Sequence, residues 1–467
     1  MYDGADRAHR DDPAVTAVTA ATAEAVRTMI DRLSDGTPAT PDEAPSAAAL
    51  VDLVAALEEL KAAAAAAQAR ATVALFTAQR ADDIRRGADS AETARSVGAQ
   101  VALARKDSPA RGSRHLGLAQ GLVSEMPQTL ALLAGGDVSE WVATLVAQQT
   151  ACLSPELRRQ VDTQLATHLP SLSPRQARAL AGRLTAAVDA AAVVRRNEEA
   201  VSSRRVSLRP AVDGMCILSA ILPLVDGVAA FAALTRDAEA QRASGRGEGV
   251  GPIMADLLVQ RLTGRDPREG FDVEIRLVMS AESMLGGPGG DGAYVQGYGP
   301  IDDDWARSIA AHGRATGAPP GEVSTAKAFV RRLFTWPGEA GLVRLESSRR
   351  EFRGLLRESV AVRDRTCRMP FCDAPIRHVD HIKRAADGGR TTLDNGQGLC
   401  ERCNYVKEAH GWRQRRVPDA AGHVVETTTP TGHTYAGSAP LPPGPLHRQL
   451  PSLSPLEVEW ARLLDAA

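Results

Sequence analysis

Residues 367–410 read CRMPFCDAPIRHVDHIKRAADGGRTTLDNGQGLCERCNYVKEAH. Two thiol pairs, Cys367 with Cys372 and Cys400 with Cys403, bracket a cluster of acid, imidazole and amide groups: His378, Asp380, His381, Asn395 and Asn404. Four soft ligands in two close pairs suit a closed tetrahedral zinc site that staples a small module. The bracketed oxygen and nitrogen donors are harder, of the sort that holds a catalytic cation and activates water. The stretch therefore predicts two metal sites of different chemistry in one module.

Local pattern says how those groups could meet. Val379-x-His381-Ile382 alternates as a strand, and Lys383-Arg384 followed by Asp387-Gly388-Gly389 ends it. Adjacent residues on a strand point to opposite faces unless the strand stops, so Asp380 and His381 converge only at such an end. Cys400 closes a second strand, and residues 401–410 form a helix. On it Asn404, Lys407 and Glu408 fall at i, i+3 and i+4, on one face. A hairpin plus helix stapled by zinc brings Asn404 opposite Asp380.

This pattern resembles the HNH nuclease family, a ββα-metal fold. The resemblance lies in Val379-Asp380-His381-Ile382, Gly388-Gly389-x-Thr391, Asn395 and Cys400-x-x-Cys403-Asn404-x-x-Lys407. It implies that His381 is the general base and that Asp380 and Asn404 ligate a single divalent cation. It further implies that Asn395 braces the loop that orients His381, and that Lys407 stabilises phosphate charge. Asn404 stands where the family has its final His, and oxygen donors of this kind favour Mg²⁺ or Mn²⁺. Gly396 and Gly398 stand where many relatives carry apolar residues. The implied activity is endonucleolytic cleavage of DNA to 3′-hydroxyl and 5′-phosphate ends. The thiols alone also suit a non-catalytic, zinc-stapled DNA-binding or regulatory protein, or an interaction protein whose function lies elsewhere in the chain. His378 reads as a strand residue beside the site, His410 as a helix C-terminal residue, and Trp412 as packing.

The chain has 467 residues, 44% of them apolar but only 4% aromatic, and a formal charge of −2. Its abundant alanine favours helices. Bulk charge gives no pull on nucleic acid. Between Arg363 and Arg416, however, twelve Lys and Arg face seven Asp and Glu, a local excess compatible with phosphate binding. The other two of six cysteines, Cys152 and Cys216, sit in apolar settings and read as buried, inert thiols. So few cysteines in this spacing point to metal in a reducing cytosol rather than disulfides. The polar N-terminus lacks a signal-peptide core and no apolar run is long enough to span a membrane, so a cytoplasmic protein is expected.

Outward from the module, the expected organisation is mainly α with a smaller α/β middle region and the C-terminal zinc-stapled ββα-metal module. Residues 1–46 are a polar start, a helix over 14–33 and a linker. Residues 47–350 form a helix-rich body with a few strands, 351–416 the nuclease module, and 417–467 an extended Pro-rich tail with a short terminal helix. A long alanine-rich helix runs over 47–86 with Leu50, Leu53, Val54, Leu57, Leu60 and later Val73, Leu75 and Phe76 as its apolar stripe, a face that could also pair two copies into a homodimer. Ser154-Pro155 and Ser173-Pro174 are helix starts. Residues 206–210 and 216–222 read as a hairpin across Asp213-Gly214. Asp302, Asp303 and Asp304 cap a helix rather than bind metal. Met126-Pro127, residues 195–214, 255–258 and 297–300 resemble an uncharacterised helical domain found upstream of HNH modules in actinobacterial proteins.

Overall fold

The computed structural model describes residues 22–31, 46–211, 215–264, 277–279, 281–284, 293–295, 299–312, 346–347, 350–418 and 422–440. Residues 22–31 are helical, as expected of that stretch. The expected Asp213-Gly214 turn and nearly all of the Pro-rich tail with its terminal helix lie outside these residues, as do the glycine run 286–292, which reads as a loop, and residues 333–345, which read as another hairpin across Pro337-Gly338. The chain divides into two compact units, Met1–Val101 with Ala110–Val194, and Ala102–Pro109 with Arg195–Ala467. Among the described residues no helix is long and apolar enough to cross a membrane.

The first unit is helical. It contains α1 (Ala47–Arg85), most of α2 (Ser90–Ala104), α3 (Pro109–Glu125), α4 (Pro127–Gly135), α5 (Glu140–Thr150), α6 (Pro155–Ala166) and α7 (Pro174–Val188). The expected apolar stripe fails at the start of α1, where Leu50, Leu53 and Val54 are exposed. There the buried face is instead alanine, with Ala62, Ala65 and Ala66 joining Leu130, Leu133, Val146 and Leu165 in one core, while further along Leu75 and Phe76 of the stripe pack as read against Val97, Val101 and Leu116. Small side chains win because they let backbones approach closely. At the end of α4, a Cβ on Gly136 would sit 2.8 Å from Glu59 Cβ on α1. The Ser-Pro starts behave as read: Ser154 and Ser173 hydroxyls accept from the N–H groups of Leu157 and Gln176. Met126 cannot cap α4, and the buried Asp162 carboxylate of α6 does so instead, accepting from the backbone N–H of Gln128 (2.7 Å) and Thr129 (3.0 Å).

In the second unit, the larger part of α8 (Ala190–Ser202) leads to the antiparallel hairpin β1 (Arg205–Pro210) and β2 (Cys216–Ile221), then α9 (Leu224–Ala243) and α10 (Val250–Thr263). Cys216 is exposed and Cys152 half-buried, against the expectation of two buried thiols. The side chains of β2 around that thiol are themselves mostly exposed. A three-stranded antiparallel sheet of β3 (Leu277–Val278), β4 (Ala293–Val295) and β5 (Gly299–Ile301) precedes α11 (Asp303–His312). Asp302 Oδ1 accepts from the N–H of Asp304 and Trp305 at 2.8 and 3.3 Å, so the acidic run caps this helix as read.

The C-terminal module comprises β6 (Glu346–Ser347), α12 (Gly354–Asp364), β7 (His378–His381), β8 (Thr391–Thr392), β9 (Gly396–Leu399), α13 (Glu401–Glu408), β10 (Arg413–Arg416), β11 (Val424–Thr428) and β12 (Thr434–Ser438). β7 pairs antiparallel with β9, with His381 opposite Gly396 and Asp380 opposite Gln397. The reading of residues 417–467 as an extended tail needs correction: β10, β11 and β12 form an antiparallel sheet. The buried Arg368 guanidinium holds that sheet to the cysteine segment, donating to the carbonyls of His423 (2.6 Å) and Gly437 (2.9 Å).

That attachment has a pH consequence. Burial, then the positive charge of Arg363, pushes the His423 imidazole down from 6.5 to about 3, while its Nε2 bonds the Asp394 carbonyl at 2.8 Å. The folded protein thus keeps His423 neutral, whereas the unfolded chain protonates it near pH 6.5. Stability must fall as pH drops from 6.5 toward 3, by about 2 kcal/mol at about pH 5. Urea unfolding at the two pH values should show that loss in the wild type, and His423→Gln should remove most of it; an equal loss in both proteins rules the attribution out.

Candidate metal centre and active site

The four cysteines are buried, and their Sγ atoms all lie within 4.8 Å of one another. Among the described residues they form the one cluster of three or more His, Cys, Asp or Glu able to hold a metal ion. Cys367 and Cys372 sit on the loop after α12, while Cys400 is the N-cap of α13 and Cys403 lies in its first turn. Cys400 Sγ accepts from the Cys403 N–H at 3.4 Å. Hydrogen bonds from Cys367, Cys372 and Cys403 hold its thiol far below the usual thiol range, and the same contacts push Cys403 up. A cation at the centre would relieve that conflict by stabilising every thiolate.

The second group forms where β7 ends. Lys383 follows β7, and the loop back to β9 is closed on itself by Asn395. Its Oδ1 accepts from Lys383 N at 2.9 Å, and its Nδ2 donates to the carbonyls of Lys383 (3.1 Å) and Arg390 (2.8 Å). Gly389 fits this closure because a Cβ there would lie 1.9 Å from the Lys383 carbonyl oxygen. Gly396 and Gly398 have the same kind of reason. A Cβ on Gly396 would meet Phe352 at 2.7 Å, and one on Gly398 would meet Ile376 at 2.4 Å. The glycines make β9 a slot into which neighbouring side chains pack.

His381 is buried at the end of β7, with its ring centroid 4.8 Å from that of Phe352. Its Nε2 lies 3.0 Å from Thr391 Oγ1, and its Nδ1 lies 3.5 Å from Asp380 Oδ1. The apolar spacing of residues 350–364 reads as one helix, but α12 begins only at Gly354, because residues 350–353 run along this site. They put Phe352 against His381 and offer the Arg350 carbonyl to Thr391. Neither Phe352 nor Thr391 could be given this position from sequence spacing, since both contacts are long-range.

From α13, Lys407 reaches back to β7. Its ammonium contacts Asp380 Oδ2 at 2.9 Å, Glu408 Oε1 at 2.6 Å and the His381 carbonyl at 3.3 Å, and its side chain is only 4% exposed. Lys407 thus spends its donors inside the protein, on the residue beside His381 that the resemblance makes a cation ligand. Burial raises the Asp380 pKa, but the hydrogen bond and charge of Lys407 outweigh it and hold the carboxyl below the usual carboxylate range. Asn404 lies one turn before Lys407 on the same helix face, and its Oδ1 is buried without a hydrogen-bond partner among the described residues. An orphaned amide oxygen is costly unless something electropositive meets it. Such a donor, on the helix that reaches Asp380, suits a hard divalent cation. His378 is half-buried at the far end of β7, and His410 lies beyond the end of α13.

Comparison with known proteins agrees with both parts of the chain. A family described as "Domain of unknown function (DUF222)" matches residues 54–268, and the HNH endonuclease family matches residues 365–409. The chain is 27% identical over 390 residues to the uncharacterized protein Rv3776 of Mycobacterium tuberculosis, covering 76% of this chain and 72% of that one. It is 39% identical over 83 residues to the uncharacterized protein Rv2100 of the same organism, covering 17% and 14%. No solved structure matches it. The HNH match stops short of Phe352 on one side and of the β10–β12 sheet on the other. The chain thus joins an N-terminal DUF222 domain to a C-terminal HNH endonuclease domain.

Proposed function

We propose that the protein is a divalent-cation-dependent endonuclease that hydrolyses phosphodiester bonds in DNA, with a structural zinc held by Cys367, Cys372, Cys400 and Cys403. The observation that carries this reading is the buried, unpartnered Oδ1 of Asn404 on the helix whose Lys407 reaches Asp380. Asp380 and Asn404 are hard oxygen donors suited to Mg²⁺ or Mn²⁺. A bound cation would supply Lewis-acid stabilisation of phosphoryl charge.

The chain's own residues do the rest. His381 Nδ1, on the Asp380 side of the ring, accepts a proton from the attacking water. Lys407 keeps Asp380 ionised and fixed in direction, so that its carboxylate is pre-organised. Asn395 holds the loop from Lys383 to Arg390 in the conformation that presents His381. The local excess of Lys and Arg attracts the DNA backbone to this module.

Cleavage of supercoiled plasmid with Mg²⁺ or Mn²⁺ tests the reading. His381→Ala is expected to slow cleavage about 10²–10⁴-fold, the usual range for a general base. Equal rates for the two proteins sink the assignment. Salt-dependent DNA binding without cleavage, unchanged in His381→Ala, would make the module a non-catalytic zinc-stapled binding element instead.

A further inference from the structure

We propose that Thr391 is a positioning residue that fixes the tautomer of His381, a role that rests on His381 being the base. Thr391 is 6% exposed, in the two-residue strand β8. Its Oγ1 lies 3.0 Å from His381 Nε2 and donates to the Arg350 carbonyl oxygen at 3.2 Å. A hydroxyl has a single proton, and a carbonyl has none to give. With that proton on Arg350, the Thr391 oxygen can only accept, so His381 Nε2 must carry the hydrogen. A neutral imidazole has one N–H, which leaves Nδ1 as the bare lone pair.

The other tautomer is worse on two counts. It would turn the Thr391 hydroxyl toward Nε2 and take the hydroxyl donor away from the Arg350 carbonyl. Its Nδ1–H would face Asp380 Oδ1 at 3.5 Å, beyond a normal hydrogen bond, so no full bond is gained there to replace the one lost at Arg350. The Phe352 ring against the imidazole limits rotation that would exchange the two nitrogens. Thr391 therefore does for His381 what a carboxylate or carbonyl does for other catalytic imidazoles: it occupies one nitrogen as a hydrogen-bond acceptor, so that the other is free to take a proton. It touches neither the water nor the phosphate.

Ring-¹⁵N histidine in the full chain reads this directly, with the His381 signals assigned by their loss in His381→Gln. In the wild type with the ring neutral, Nε2 should show a pyrrole-type shift and Nδ1 a pyridine-type shift. Thr391→Val should move His381 to the other tautomer or to a mixture, and slow cleavage about 10–100-fold, as loss of an outer-shell partner does. Thr391→Ser should keep the wild-type tautomer and most of the rate. A wild-type spectrum with the hydrogen on Nδ1, or an unchanged tautomer in Thr391→Val, overturns the proposal. The spectrum is independent of cleavage, so a chain with the expected tautomer and no nuclease activity would refute the function and leave the role of Thr391 standing. Should Thr391→Val fail to fold, the wild-type spectrum still decides.

Discussion

Cys403→Ser is expected to unfold residues 350–440 while the helical unit of α1 and α3–α7 stays folded. The reason is the size of the module's own core. Phe352, Leu356, Val360 and Leu393 form one buried apolar cluster, Met369, Ile382, Leu399, Val406, Trp412 and Val425 are buried besides, and the strands around them are two to five residues long. A core of that size supplies little of the 5–15 kcal/mol that domains need. A zinc ion on four thiolates supplies an apparent folding free energy on the order of 10–16 kcal/mol. With zinc bound as proposed, loss of the thiolate of the fully buried Cys403 removes the largest single contribution to the module. The helical unit has a separate core of eighteen buried residues and no part in the cysteine cluster. Zinc content by atomic emission should fall in the variant. Hydrogen exchange should become fast in β7, β9 and α13 and stay slow in α4–α7. Unchanged protection in β7 and β9 would refute the zinc staple.

What sequence showed and what it hid divide along one physical line. Local features were readable. The cysteine spacing placed the cluster, the Ser-Pro pairs placed helix starts, and the Asp302 run placed a cap, because each depends on a few consecutive residues. The two strands and the helix of the HNH match were readable for the same reason. Features set by distant partners were not. The spacing puts Lys407 on the Asn404 face of α13, but only the packing of α13 against β7 shows that its ammonium is buried on Asp380. In β11 the residues Val425 and Thr427 are buried and their neighbours are not, an alternation too short and too rich in threonine to stand out among loops. Gly396 and Gly398 read as weak points in a strand until Phe352 and Ile376 are found in the space beside them. At the start of α1 the reverse error arises, since a stripe of leucine and valine suggests burial and the helix buries alanine instead.

Asp380→Ala is expected to abolish measurable cleavage, and a second substitution separates the two jobs that residue has. As a proposed cation ligand its loss removes several kcal/mol of transition-state stabilisation, on the order of 10³-fold or more in rate. As the partner of Lys407 its loss leaves a buried ammonium with only Glu408 and the His381 carbonyl. Breaking a buried pair costs about 3–5 kcal/mol. Asp380 is 33% exposed and Glu408 remains, so solvent and the second carboxylate reduce this to about 1–2 kcal/mol. The double variant Asp380→Ala, Lys407→Met removes the stranded charge as well. Urea unfolding should then recover most of the lost stability, because a methionine of similar length fills the space without a charge to compensate. Cleavage and Mn²⁺ binding, followed by electron paramagnetic resonance, should not recover. Stability regained without activity assigns Asp380 to the cation. Activity regained along with stability would mean that Asp380 serves only to neutralise Lys407, and the cation site would have to be sought elsewhere in the module.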